Sequence, residues 1–233
     1  PIIVKPTDAA GSKGVTRVDR IEKLKPALEL AFKHSISKRV IVEEFIEKQG
    51  CSSDTDCFSV NGELLFVSFS AQRFDENAAN PYTPAAFSWP STMTSHQEME
   101  LTSEIQRLIK LLGMRTSIYN IETRIGTDGK AYIMEVSPRG GGNRLAEMVF
   151  FSMGVDLITN AIRAAVGDTI VGLAQRSYSG HWAEVILHSN KDGRFIGLDI
   201  NKVYLTSHVV QIDLWVQKGD NIFQFRGAND AIG

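Results

Sequence analysis

"NIETRIGTDGKAYIMEVSPRGGGNR" occupies residues 120–144 and sets a glutamate on each side of an Asp-Gly turn. With Asp128-Gly129 as a two-residue hairpin turn, Thr127 faces Lys130, and Glu122 and Glu135 become direct cross-strand partners. A four-residue loop gives the same pairing, whereas a three-residue loop leaves the two acids diagonal. Directly opposed residues have Cβ atoms roughly 4.5–5.5 Å apart, and like charges there repel. A divalent cation turns that repulsion into coordination, and Mg²⁺ typically takes one or two carboxylates together with phosphate oxygens. Ser137 and Asn120 share the face of the two acids by period-two alternation. The competing reading is a solvated sheet face with two unrelated acids, because Ile121, Ile133, Met134 and Val136 mark the hairpin as half buried.

Arg139, Gly140-Gly141-Gly142 and Arg144 follow the second glutamate. Arginine meets phosphate bidentately, and glycines let backbone N–H groups approach oxygens closely. Near the start of the chain, "AAGSKGV" offers a second anion cradle through Gly11, Ser12, Lys13 and Gly14, without the GxxxxGK[ST] spacing of a Walker A loop. Lys5 stands in the apolar strand "IIVKP". A lysine there is costly unless paired, so it is expected to point at an anion or an acid; the alternative is a stem that snorkels to the surface.

The chain of 233 residues is long enough for one large domain or two small ones with a proper core. A formal net charge of −2 gives no global attraction to nucleic acid or anionic lipid, so any cationic site is local. No apolar run reaches the length of a membrane span, and Cys51 and Cys57 suit neither a zinc site nor a disulfide framework. A reduced, cytoplasmic protein is the expectation. An apolar strand opens the chain at "PIIVKP", and "GANDAIG" ends it where a strand could follow, so a piece of a longer protein is also expected.

Strands are expected at residues 1–6, 15–18 and "RVIVEEF", and "CFSV-NG-ELLFVSFS" reads as a hairpin around Asn61-Gly62. The first helix places Leu24, Leu28, Ala31 and Phe32 inward, with Pro26 in its first turn. Residues 71–94 look like a long lid or binding loop. Ser95 to Leu112 is amphipathic, with Ser95 and Glu98 as a capping box and Gly113 as its end. Helical segments follow near 145–151 and 155–166, then strands and turns from about Tyr178. The order is α+β with antiparallel hairpins.

Taken in order, these pieces resemble the ATP-grasp superfamily of ATP-dependent ligases. "IIVKP" resembles its phosphate-binding lysine strand, "GSKGV" its glycine-rich loop, and "VIVEEFIE" the hinge between its lobes. The resemblance implies adenine contacts at Glu43, Phe45 and Ile46, and Glu47 as the nearest candidate for the ribose. "NIETRI" and "IMEVSPR" are similar to the segments with the paired metal acids, implying Glu122 and Glu135, with Ser137 where the family often has Asn. Arg139 matches the arginine facing the transferred phosphate. "EVSPR" is similar to formate-dependent glycinamide ribonucleotide transformylases, whereas "GGGNRLAEM" is closer to amino-acid ligase-like and carbamoyl-phosphate-synthase-like members.

The implied architecture is an α+β ATP-grasp domain over residues 1–174, with lobes of about 1–44 and 45–174, and a β-rich segment at 175–233. The implied activity is a carboxylate–amine ligase that uses ATP and Mg²⁺, with Mn²⁺ as an alternative ion, and passes through an acyl-phosphate. Its substrates would be a small carboxylate and an amine; no nucleic acid or membrane partner is implied, and a homo-oligomer is left open. The family also has a preceding domain that often helps bind the acceptor, and none of these motifs represents it. The alternative is a nucleotide-binding module of the same fold without catalysis.

Overall fold

The computed structural model describes residues 1–233. In chain order it forms β1 (Ile2–Pro6), β2 (Thr16–Val18), α1 (Leu24–His34), β3 (Val40–Glu44), β4 (Ser53–Val60) and β5 (Glu63–Phe69). Next come β6 (Ala71–Phe74), β7 (Pro84–Trp89), α2 (Ser95–Leu111), β8 (Ser117–Ile125) and β9 (Ala131–Ser137). α3 (Leu145–Met153), α4 (Leu157–Val166), β10 (Trp182–Val185), β11 (Gly193–Arg194), α5 (Lys202–Ser207) and β12 (Asn221–Ile222) complete it. The expected α+β class with antiparallel pairing is what forms. The chain divides into two compact units, one of residues 1–45, 74–85 and 185–233, the other of residues 46–73 and 86–184.

In the first unit β1 lies between β2 and β3. Val4, Val18, Ala27 and Ala31 form its buried core, with Leu24, Leu28 and Val40 packed against them. Pro26 sits in the first turn of α1, where its missing N–H costs nothing. Phe32, expected to face inward, is exposed instead, and Ala27 takes the buried position. Beyond Tyr178 the chain makes short strands, as expected, but it also forms helix α5.

The second unit is built on a four-stranded sheet in the order β5-β4-β8-β9. Strand alternation sends Cys57, Tyr119, Ile121 and Ile125 to one face, where Leu101, Ile105 and Ile109 of α2 cover them. Phe58, Phe66 and Ile118 lie on the other face beneath α3 and α4, through Val149, Met153 and Leu157. Asn61 and Gly62, both with positive φ, make the two-residue hairpin turn expected between β4 and β5. No single helix is long and apolar enough to cross a membrane.

Two local expectations are corrected. Residues 71–94 are not one long loop, because β6 and β7 form within them and join β10 in a three-stranded sheet. The apolar alternation of Ala85, Phe87 and Trp89 carries β7, and all three side chains are buried. The capping box of α2 belongs to Thr94 and Gln97, one residue before the expected pair. Thr94 Oγ1 accepts from the Gln97 N–H at 3.3 Å, and Gln97 Oε1 accepts from the Thr94 N–H at 2.9 Å. Ser95 is the first helical residue, while Glu98 accepts instead from the Ser91 hydroxyl at 2.7 Å. Thr94→Ala is therefore expected to cost about 1 kcal/mol of unfolding free energy in denaturant melts. Ser95→Ala should stay within about 0.5 kcal/mol.

Candidate functional site: an acidic sheet face under a glycine turn

Glu122 and Glu135 are direct partners in the β8–β9 ladder, and Asn120 faces Ser137 in the same register. The route to that register differs from the simple hairpin. Ile125 pairs with Ala131, and the Gly126 N–H bonds to the Lys130 carbonyl at 2.9 Å, so the loop is the three residues Thr127-Asp128-Gly129. Asp128 accepts from the Lys130 N–H, and Gly129 takes the positive φ of 79° that closes such a loop. That loop alone would leave the acids diagonal. A bulge beyond Glu122 then inserts Met134 as an extra residue in β9 and brings Glu122 and Glu135 level.

The face is more acidic than the hairpin alone. β4 pairs with β8 so that Asp54 lies opposite Glu122 and Asp56 opposite Asn120. Asp54, Glu122 and Glu135 thus form one row across three strands, and Asp56, Asn120 and Ser137 form the next. Asn120 Nδ2 donates to Asp54 Oδ1 at 2.6 Å and to Asp56 Oδ1 at 3.0 Å. Asp56 Oδ1 also accepts from the Gly141 N–H at 2.8 Å, while its Oδ2 is buried without a hydrogen-bond partner. Neither aspartate was among the residues read from the sequence as functional. The signal was available in "SDTDCFSV", where Asp54 and Asp56 share the parity of the inward-facing Phe58.

Burial pushes Asp54 up to about 6; the Asn120 amide opposes the shift, and the neighbouring Asp56 charge adds to it. Asp56 is also raised to about 6 by burial, against hydrogen bonds from Asn120 and Gly141. The Arg139 charge lowers both. On β10, burial pushes Glu184 up to about 8 against the pull of Arg144, and its Oε2 has no hydrogen-bond partner. In the native state these acids hold protons that the unfolded chain releases near pH 4, so ionisation favours unfolding. The thermal midpoint of the metal-free chain is expected to fall as pH rises from about 4 to about 8, with Asp54 and Asp56 contributing up to about 6 and Glu184 beyond it. The drop should shrink in Asp54→Asn. Asp8 and Asp75, both lowered to about 2, change stability in the opposite sense and only below pH 4.

Arg139 is exposed, and its Nη1 donates to the Gly140 carbonyl at 2.6 Å. Arg144 pairs with Glu147 in the first turn of α3. A cavity of about 300 Å³ opens beside this turn, lined by Gly140, Gly141, Arg144 and Glu147 with Ile158 and Ile162 of α4.

In the first unit Lys5 does point at an acid: its Nζ lies 2.7 Å from Glu43 Oε2, both side chains partly buried. The pair sits diagonally across β1 and β3, where Ile3 faces Glu43 and Lys5 faces Ile41. Gly11, Ser12 and Gly14 all have positive φ, and the Val15 N–H closes the loop onto the Ser12 carbonyl at 3.3 Å. Ser12 Oγ donates to the Tyr82 carbonyl at 3.0 Å, and Lys13 is exposed. A Cβ on Gly14 would come within 3.1 Å of both Pro6 and His34, so only glycine fits without displacing a neighbour. The Phe45 N–H donates to the Pro1 carbonyl at 3.2 Å, and Arg17 stacks over the Phe45 ring at 4.3 Å. In the second unit the Ile46 carbonyl accepts from Arg124 at 2.8 Å, and that of Glu47 from the Thr127 N–H at 3.0 Å.

No three acidic, histidine or cysteine side chains converge tightly enough to enclose a metal by themselves. Mg²⁺ does not require that, because it keeps waters and substrate phosphate oxygens beside one or two carboxylates. An all-oxygen donor set with opposed glutamates fits such an ion.

The family model described as "ATP-grasp domain" matches residues 1–147. The D-alanine–D-alanine ligase of Parabacteroides distasonis is 30% identical over 151 residues, covering 60% of this chain and 42% of its own length. An uncharacterized protein of Sinorhizobium fredii, y4rH, is 25% identical over 239 residues, covering 100% of this chain and 48% of its own. The chain thus spans less than half the length of these relatives. The crystal structure of an L-amino acid ligase from Bacillus licheniformis superposes with a TM-score of 0.73 at 18% identity, covering 100% of this chain and 56% of that one. The lysine strand, glycine loop and opposed acids all lie within residues 1–147, the fold is shared with the L-amino acid ligase, and this chain belongs to the ATP-grasp family.

Proposed function

We propose that this chain supplies the nucleotide site of a Mg²⁺- and ATP-dependent carboxylate–amine ligase. The observation that carries the reading is the cross-strand pair Glu122–Glu135 in one row with Asp54, next to the turn that bears Arg139. Glu122 and Glu135 would hold Mg²⁺ or Mn²⁺, with Ser137 one position further along the same face. The ion, when bound with ATP, neutralises charge on the phosphates.

Lys5, oriented by its ion pair with Glu43, and the exposed Lys13 would meet phosphate oxygens. Glu43, Phe45 and Ile46 are the proposed adenine contacts, and Glu47 is the candidate for the ribose. A substrate carboxylate oxygen attacks the γ-phosphorus, the bond to the bridging oxygen breaks, and ADP leaves with that electron pair. Arg139 stabilises the charge on the transferring group. The amine then attacks the acyl carbon of the resulting acyl-phosphate; inorganic phosphate leaves with the C–O electrons and the amine loses a proton. These residues do no covalent chemistry, so positioning and charge stabilisation carry the rate. The D-alanine–D-alanine ligase and L-amino acid ligase among the similar proteins support a C–N ligation product of this kind.

Calorimetric titration with a non-hydrolysable ATP analogue, with and without Mg²⁺, tests the reading. Binding that requires Mg²⁺ is expected. Absence of binding at millimolar analogue would remove the nucleotide site and the ligase with it.

A further inference from the structure

We propose that Asp56 is a positioning residue: its carboxylate fastens the glycine turn 140–142 to the sheet and so fixes the base from which Arg139 reaches a transferring phosphoryl group. The inference rests on the ligase reading, in which Arg139 faces that group. Asp56 lies inside β4, only 2% exposed, far in sequence from the turn it holds. One of its oxygens receives two donors, the Gly141 N–H at 2.8 Å and Asn120 Nδ2 at 3.0 Å. Asn120 is itself fixed, because the same amide nitrogen also donates to Asp54 at 2.6 Å. Rotating the amide away from Asp56 would break both bonds. The result is a brace of Asp54, Asn120 and Asp56 across β4 and β8, with the turn hung from its end.

The turn is shaped to meet this brace. A Cβ on Gly141 would lie 2.5 Å from Leu145 Cδ1, 2.8 Å from Asn120 Nδ2 and 3.0 Å from Asp56 Oδ1. A Cβ on Gly140 would lie 3.0 Å from Ile118 Cδ1. Glycine is needed here for close approach of backbone to carboxylate. Arg139, two residues before the anchored amide, has an exposed side chain with one bond to its neighbour's carbonyl, so its backbone is what the sheet constrains.

Stability alone does not explain a carboxylate at this position. A buried carboxylate with one oxygen unpartnered is costly, and a neutral group of similar size would pack at lower cost. A charged acceptor does, however, hold a backbone amide more tightly than a neutral one. What it holds is the turn that leads from the metal-side strand β9 into α3.

The test is calorimetric titration of the full chain with Mg²⁺ and either the ATP analogue or ADP, on wild type, Asp56→Ala, Asp56→Asn, Arg139→Ala and the Asp56→Ala/Arg139→Ala double variant. Asp56→Ala is expected to lose about tenfold in affinity for the analogue and little for ADP, the size of one hydrogen bond to a charged group. Asp56→Asn keeps an acceptor without the charge and should recover only part of that loss. The double variant should bind no worse than Arg139→Ala alone, because the two residues act through one contact. Additive losses, or equal losses for analogue and ADP, would overturn the proposal. Should Asp56→Ala not fold, Asp56→Ser takes its place, and exchange of the Gly141 amide in the unaltered chain gives a second reading. Slow exchange is expected, and exchange at the rate of an open loop would overturn the brace. If wild type binds neither nucleotide, the ligase reading falls first and this inference with it. If wild type binds and Asp56→Ala matches it, only the inference falls.

Discussion

Glu135→Ala weakens Mg²⁺-dependent binding of an ATP analogue by about 10- to 100-fold while leaving the fold intact. The magnitude is that of losing one charged contact, roughly 1.5–3 kcal/mol. The fold survives because Glu135 is exposed on β9 and is not a member of either hydrophobic core cluster. Its removal also relieves repulsion from Glu122 directly opposite, so the metal-free thermal midpoint should hold or rise slightly. Loss of binding together with an unchanged or higher midpoint is what separates a metal-side carboxylate from an ordinary surface acid. Calorimetry and a thermal melt on the same sample read both. Equal affinity in the variant and wild type would remove Glu135 from the site.

Phe58→Ala should cost about 3–5 kcal/mol, the range for emptying a fully buried aromatic site. Phe58 is 0% exposed on β4 and belongs to the cluster that seats α3 and α4, with Val149, Met153 and Leu157. With a shift of roughly 2–4 °C per kcal/mol for a chain of this size, the thermal midpoint should drop by about 10 °C. The substitution also reaches the site, because Phe58 is two residues from Asp56 on the same face and α3 begins directly after the glycine turn. Hydrogen exchange should therefore speed up at Gly141 as well as in α3. A midpoint within 2 °C of wild type would show that the helices are held by something other than this face.

Much of the candidate site's arrangement was legible in the sequence because it is local. Glu122, Glu135, Arg139 and the three glycines fall within one short stretch, and period-two alternation assigns the acids to a common face. The cross-strand pairing of the glutamates was read correctly, but by a turn that does not form. The real loop is three residues long, and the bulge at Met134 offsets it. A bulge leaves no residue signature as plain as Asn-Gly, since it depends on what the neighbouring strand must align. The helix cap shows a smaller case of the same kind: Thr94 and Ser95 are both good N-caps, and the Gln97 side chain, folded back onto the Thr94 N–H, made the choice.

Lys5 shows where sequence reasoning reaches its end. A lysine within an apolar strand demanded a partner, and that followed from the cost of burying an unpaired charge. That the partner is Glu43 depended on how β1 and β3 align. Similarly, residues 71–94 read as one loop because polar residues and prolines separate two short strands, whose apolar sides became evident only once they were paired.

The sequence by itself therefore determined the α+β class, the order of the ATP-grasp motifs, the opposed glutamates and the arginine-bearing glycine turn, all set by alternation, turn chemistry and side-chain charge over short spans. Only the tertiary structure brought β4 beside β8, adding Asp54 and Asp56 to the acidic face and hanging the turn from Asp56. Those contacts join residues far apart in the chain, and their alignment is fixed by burying Phe58 and Cys57 on opposite faces of one sheet, a constraint that no local stretch contains.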